Sequence, residues 1–81
     1  MTDAVGANAV VRRAARLVAM VDLLASGRYT SAQLAQQFNV HVRTVQRDLV
    51  LLQTEPIYLP LIVDEYGRYG VMEGYRRAHR N

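Results

Sequence analysis

The sequence predicts a mainly α fold, three helices followed by a small β-hairpin, and three observations carry that expectation. Apolar residues recur at three- and four-residue steps before Gly27 and again on either side of Asn39. Pro56 and Pro60 then stop helical continuation. From Leu61 the apolar pattern changes to period two around the turn residues Asp64, Glu65, Tyr66 and Gly67.

Length and composition bound the answer. Eighty-one residues make one small domain, and domains near this size gain only about 3–5 kcal/mol from a single core, so many add a metal, a disulfide or a partner chain. Cysteine is absent, which excludes disulfides and thiolate metal sites. The apolar share is 51%, yet no uncharged apolar run is long enough to cross a membrane. The opening MTDAVGANAVV lacks the basic and continuously apolar regions of a secretory signal, so a cytoplasmic location is expected.

Net charge is +3, and all ten basic residues are arginine. Four arginines face two aspartates over residues 1–30, two face one over residues 31–53, and four of each sign balance beyond. A modest positive balance permits nucleic-acid binding without demanding it, and arginine suits bidentate contact with phosphate and guanine.

Residues 1–7 are expected to form a flexible leader, residues 8–73 the folded domain and residues 74–81 a basic tail. From about Asn8 a first helix carries Val10, Ala14, Leu17, Met20, Val21 and Leu24 along one stripe. Gly27 is expected to close it in the left-handed conformation. A second line, Val11, Ala15, Val18 and Leu23, leaves the helix apolar on more than one side. That fits either a wide core-facing stripe or a homodimer contact.

The second helix is capped by Thr30 or Ser31, and Thr30 with Gln33 has capping-box spacing. Leu34, Ala35 and Phe38 form its apolar face. Asn39 suits a left-handed turn residue, with Val40 plugging the core beneath it. A third helix follows from about Val42 to Gln53, capped by His41. Val45, Leu49 and Leu52 share its inward face, leaving Val42, Arg43, Thr44, Gln46 and Arg47 outward or sideways, with packing beneath the first turn as the alternative for Val42.

Two helices joined by a tight turn, the second longer and polar at its start, form a helix-turn-helix unit, whose second helix enters the major groove of DNA. The hairpin after it, with Gly67 supplying a positive φ, is the wing of a winged helix-turn-helix.

LAQQFNVHVRTVQRDLVLL resembles the helix-turn-helix of DeoR-type and WYL-type bacterial regulators, whose pattern is approximately LA-x-x-F-x-V-S-x-R-T-x-x-R-D-L-x-x-L. RLVAMVDLLASGRYTSAQLA upstream resembles the family's first helix, and PLIVDEYGRYGVMEGYR downstream resembles its wing, so the likeness spans roughly residues 12–76. It implies that Arg43 and Thr44 begin the recognition helix, that Arg47 and Asp48 are the family's Arg-Asp pair, and that Leu49 and Leu52 are its buried leucines. It further implies a transcriptional regulator of bacterial or phage type, associated with the nucleoid. Two departures stand out. His41 replaces the usual serine cap, and the chain stops after the wing, where such regulators carry an effector domain. No small-molecule effector or cofactor is therefore expected.

Base reading is assigned to Arg43 and Gln46, three apart on one helical face, because arginine pairs with guanine and glutamine with adenine at the major-groove edge. Thr44 either joins them at a thymine methyl or a phosphate, or supports the helix start. Phosphate contact is assigned to Arg47, His41, Arg68, Ser31 and Tyr66. Asp48 reads as a structural anion that pairs with Arg47 or with an arginine of the first helix, since a carboxylate facing phosphate repels. Asp64 and Glu65 oppose deep insertion of the wing tip. Tyr58, Tyr69 and Tyr75 read as packing residues, and Arg76, Arg77 and Arg80 as a solvated or weakly attracting tail.

Catalysis finds little support. His41 and His79 have no metal-ligand spacing, Ser26 and Ser31 sit at helix ends, and no glycine-rich phosphate loop is present. The reading is a small regulator, a repressor, binding double-stranded DNA as a homodimer on an inverted or direct repeat. Its rivals are a protein-docking winged helix and the isolated DNA-binding domain of a longer regulator.

Overall fold

A computed structural model describes residues 4–74, with side chains from residue 8 onward. The order is α1 (Ala4–Ser26), β1 (Tyr29–Thr30), α2 (Ser31–Phe38), α3 (Val42–Gln53), β2 (Leu61–Val63) and β3 (Arg68–Val71). Three helices and an antiparallel hairpin are thus present, and the fold is a winged helix-turn-helix. The basic tail beyond Gly74, with Tyr75, Arg76, Arg77, His79 and Arg80, lies outside the described residues, as do residues 1–3 of the expected leader.

α1 begins at Ala4, earlier than the expected start near Asn8. Alanines at 4, 7 and 9 have the highest intrinsic helix propensity, enough to carry the helix past its apolar stripe. Its other end also differs. Gly27 follows the helix, and its amide donates to the Leu23 carbonyl at 3.0 Å, but it does not adopt the left-handed conformation. A Cβ there would make no more than close contact with the end of the Tyr29 side chain, 3.4 Å from its hydroxyl.

α2 starts as its sequence requires. The Thr30 hydroxyl accepts from the Gln33 amide at 3.1 Å, and the Gln33 side chain accepts from the Thr30 amide at 2.9 Å. Both members of the capping box are formed. At the far end Asn39 is left-handed, with φ 55°. The Asn39 and Val40 amides donate back to the carbonyls of Gln36 and Ala35, the paired bonds of a Schellman closure.

The core is built from Met20 and Leu24 of α1, Leu34 and Ala35 of α2, Val45, Leu49 and Leu52 of α3, Leu59 of the connection and Val71 of β3. Phe38, Val40 and Val42 are half-buried against it, so of the two placements open to Val42 the one beneath the first turn of α3 is formed. Only the C-terminal half of the α1 stripe enters this core. Val10 is 70% exposed and Ala14 is also exposed, contrary to expectation. A 23-residue helix is roughly 34 Å long, and α2 and α3 are too short to cover it.

After α3 the chain turns back, with the Leu59 amide donating to the Leu52 carbonyl at 2.8 Å. The Glu55–Pro56 peptide is cis, and Tyr58 takes a positive φ of 50°. Tyr58 is exposed, which corrects the packing role expected of it, whereas Tyr69 does pack against the core. The wing gains a strand that the sequence did not announce. β3 pairs with β2 and also with β1, giving the order β1-β3-β2 with Tyr29 opposite Tyr69. Gly70 makes this possible, since a Cβ there would stand 3.3 Å from the Gly27 carbonyl oxygen and 3.0 Å from Arg28 Cγ.

Candidate nucleic-acid interface

α3 divides cleanly into two faces. Val45, Asp48, Leu49 and Leu52 are buried, while Arg43, Gln46, Arg47 and Val50 line one shallow open surface. Their spacing is i, i+3, i+4 and i+7, the set of positions that share one side of an α-helix. The structure therefore brings together three of the expected DNA-contacting residues and adds Val50. The sequence does not single that valine out, because it stands between Leu49 and Leu51 in an apolar run, but it is 59% exposed. Its i+7 relation to Arg43 was the signal that could have found it. Thr44 is half-buried and is not among the residues that line the surface.

What holds α3 in place is Asp48. This carboxylate is 1% exposed, accepts from Arg16 Nε at 2.6 Å and Arg16 Nη2 at 3.3 Å, and has Arg13 Nε at 3.8 Å. Of the two pairings open to it in the sequence, the helix-1 arginine is the one formed. Arg47 next to it is thereby left exposed and available to a partner. Among the described residues no buried side-chain polar atom lacks a hydrogen bond, so this charge is satisfied within the fold.

His41 caps α3 despite being an uncommon residue for the position. Its Nδ1 accepts from the Arg43 amide at 3.0 Å. The accepting nitrogen carries no proton, so the ring N–H lies on Nε2. The residue is exposed, which leaves that second donor free for an outside acceptor while the first nitrogen orders the turn bearing Arg43. Ser31, at the first position of α2, is half-buried.

The wing tip is self-contained. Asp64 Oδ1 accepts from the amides of Tyr66 and Arg68 at 2.9 Å each, and Asp64 Oδ2 accepts from Arg68 Nε at 2.7 Å. Arg28 stands 4.0 Å away on the neighbouring strand edge. The Arg68 backbone amide, with its guanidinium and the Tyr66 amide, holds the Asp64 carboxyl below its ordinary value of 3.8, partly offset by desolvation. The Arg68 guanidinium also lies over the Tyr66 ring, 5.1 Å from its centre. Asp64 is thus turned inward and charge-compensated, so its expected repulsion of DNA is largely removed, and Glu65 alone remains exposed as an anion at the tip. Arg68 in turn has one of its donors committed to Asp64.

Among the described residues no group of three or more His, Cys, Asp or Glu side chains can hold a metal ion, and no helix is long and apolar enough to cross a membrane.

A helix with one face locked into the core and the other lined by arginine, glutamine and an exposed valine, followed by a hairpin, defines the class as a winged helix-turn-helix domain. A family model described as an HTH domain matches residues 13–64, well over half of the chain, and the chain belongs to that family. The matched span runs from α1 to the first turn residue of the wing. No curated protein and no solved structure matches the chain. Family membership gives the chain a DNA-binding, regulatory role with double-stranded DNA as its partner, in a family that is typically non-enzymatic.

Proposed function

We propose that the protein is a sequence-specific regulator that lays α3 in the major groove and acts as a homodimeric repressor. The observation that carries this reading is the exposed quartet Arg43, Gln46, Arg47 and Val50 on one face of a helix fixed from behind by Asp48. Arg43 reads guanine O6 and N7, Gln46 reads adenine N6 and N7, and Val50 offers an apolar surface to a thymine methyl. Thr44 supports the first turn.

Arg47, the His41 Nε2–H and the Ser31 hydroxyl contact phosphates and set the register, while Arg68 and Tyr66 meet the backbone through the wing. The likeness to DeoR-type and WYL-type regulators supports the same assignment at Arg43, Thr44 and Arg47. Repression is the simplest sign of regulation for this unit, because occupying an operator blocks transcription without any further contact.

Selection of bound duplexes followed by fluorescence anisotropy at two salt concentrations tests the reading. A recovered consensus bound at least about a thousandfold more tightly than random duplex is expected of specific recognition. Weak, salt-suppressed binding without preference would instead favour a docking role, to which the uncovered apolar face of α1 is suited.

A further inference from the structure

The N-terminal half of α1 presents an apolar face that no other described residue covers. Val10, Val11 and Val18 are 70%, 64% and 64% exposed, and with Ala14 and Ala15 they line one continuous shallow surface. Three valines left open within about two turns are more than scattered surface apolars, and contiguous patches of this kind mark association surfaces. The alanines between them are small enough to admit a second helix backbone closely.

Charge decides the occupant and its direction. Asp22 lines the C-terminal end of the same surface, and Arg12 lies ten positions earlier, beside Val11. Both are exposed. The other charges of the region are already engaged, Arg16 and Arg13 with Asp48 and Arg28 with Asp64, whereas neither Arg12 nor Asp22 has an ion-pair partner among the described residues. A second copy packed parallel would set arginine against arginine and aspartate against aspartate. Packed antiparallel, with the twofold axis crossing midway between them, it sets each Arg12 beside the other copy's Asp22.

We propose that two copies of this chain meet through this face of α1 as an antiparallel helix pair, closed at each end by Arg12 of one copy and Asp22 of the other. Val18 then packs over Ala14 and Ala15 of the second copy, and the reverse contact follows from the symmetry. The proposal rests on the homodimer reading above and gives it a surface. A twofold pair of this kind is isologous, so it presents two α3 helices to an inverted repeat and excludes a direct one.

Sedimentation velocity of the full chain without DNA, over a range of concentrations, tests it. Wild type is expected to be dimeric. Val18→Asp, which buries an unpaired charge in the seam, is expected to weaken the dimer by more than about a hundredfold. Arg12→Glu and Asp22→Arg singly are each expected to weaken it by roughly tenfold, and the doubly reversed variant to regain dimerisation. Circular dichroism on each variant separates lost association from lost folding. A dimer that survives Val18→Asp, or charge reversals that do not rescue one another, overturns this surface while leaving the homodimer reading intact. A wild type that is monomeric throughout overturns both.

Discussion

Arg16 on α1 and Asp48 on α3 are joined by a 2.6 Å charge-assisted hydrogen bond from Nε to Oδ2, across 32 positions of sequence. The carboxylate is buried and the Arg16 side chain half-buried. The bond ties the recognition helix to the longest element of the fold, and it explains why an aspartate sits among residues that would otherwise face phosphate. Removing Arg16 leaves the buried carboxylate with only the more distant Arg13 at 3.8 Å, so Arg16→Ala is expected to destabilise the domain by about 3 kcal/mol, whereas Asp48→Ala leaves a part-exposed guanidinium and is expected to cost less. Replacing both by apolar residues of similar volume is expected to recover most of that loss. Urea unfolding of the four proteins, analysed as a double-mutant cycle, measures the coupling, and additive losses would show that the pair does not act as a unit.

His41 has two separable roles, and two substitutions divide them. His41→Ala removes the acceptor for the Arg43 amide and is expected to cost about 1 kcal/mol of stability. His41→Ser restores a good cap while removing the outward Nε2–H. The serine variant should therefore match or exceed wild type in thermal unfolding, yet bind duplex DNA more weakly. Full DNA affinity in the serine variant would confine His41 to capping.

Base readers and backbone contacts differ in what their loss does. Arg43→Ala is expected to cost about 1–3 kcal/mol on the preferred site and to relax one base position. Arg68→Ala should weaken all duplexes alike and lower the salt slope by about one. For Val50 the discriminating reagent is the DNA: exchanging the contacted thymine for uracil deletes only the methyl group. Wild type should lose affinity on the uracil duplex, whereas Val50→Ala should bind the two duplexes nearly alike. Equal loss on selected and random duplexes would remove Arg43 from sequence reading.

Asp64 gives the wing a pH dependence whose sign follows from its depressed pKa. Because the folded carboxyl titrates below its ordinary value of 3.8, the stabilisation is fully present above that value and is lost as pH falls through the lowered one. Asp64→Asn removes the charge that attracts Arg68. The stability difference between wild type and variant should be constant above the carboxylate range and shrink on acidification below 3.8. Acid titration followed by denaturant unfolding checks this, and a difference that persists unchanged into strong acid would show that the carboxylate charge is not what holds the turn.

Local chemistry wrote much of this fold into the sequence, because it acts between residues only a few positions apart. The Thr30–Gln33 capping box, the left-handed Asn39, the cap at His41 and the turn closing on Gly67 are all of this kind, and so is the pairing of buried Val45 and Leu49 on one face of α3. Tertiary structure alone decided what depends on distant chain. It chose Arg16 over Arg47 as the partner of Asp48, added β1 to the wing by pairing Tyr29 with Tyr69, and brought Arg28 to 4.0 Å from Asp64. It also left Val50 open on α3 and Val10, Val11 and Val18 open on α1. Apolar periodicity identifies which side chains share a face, but whether that face is covered depends on where the neighbouring elements pack, and here they leave Val10, Val11 and Val18 uncovered.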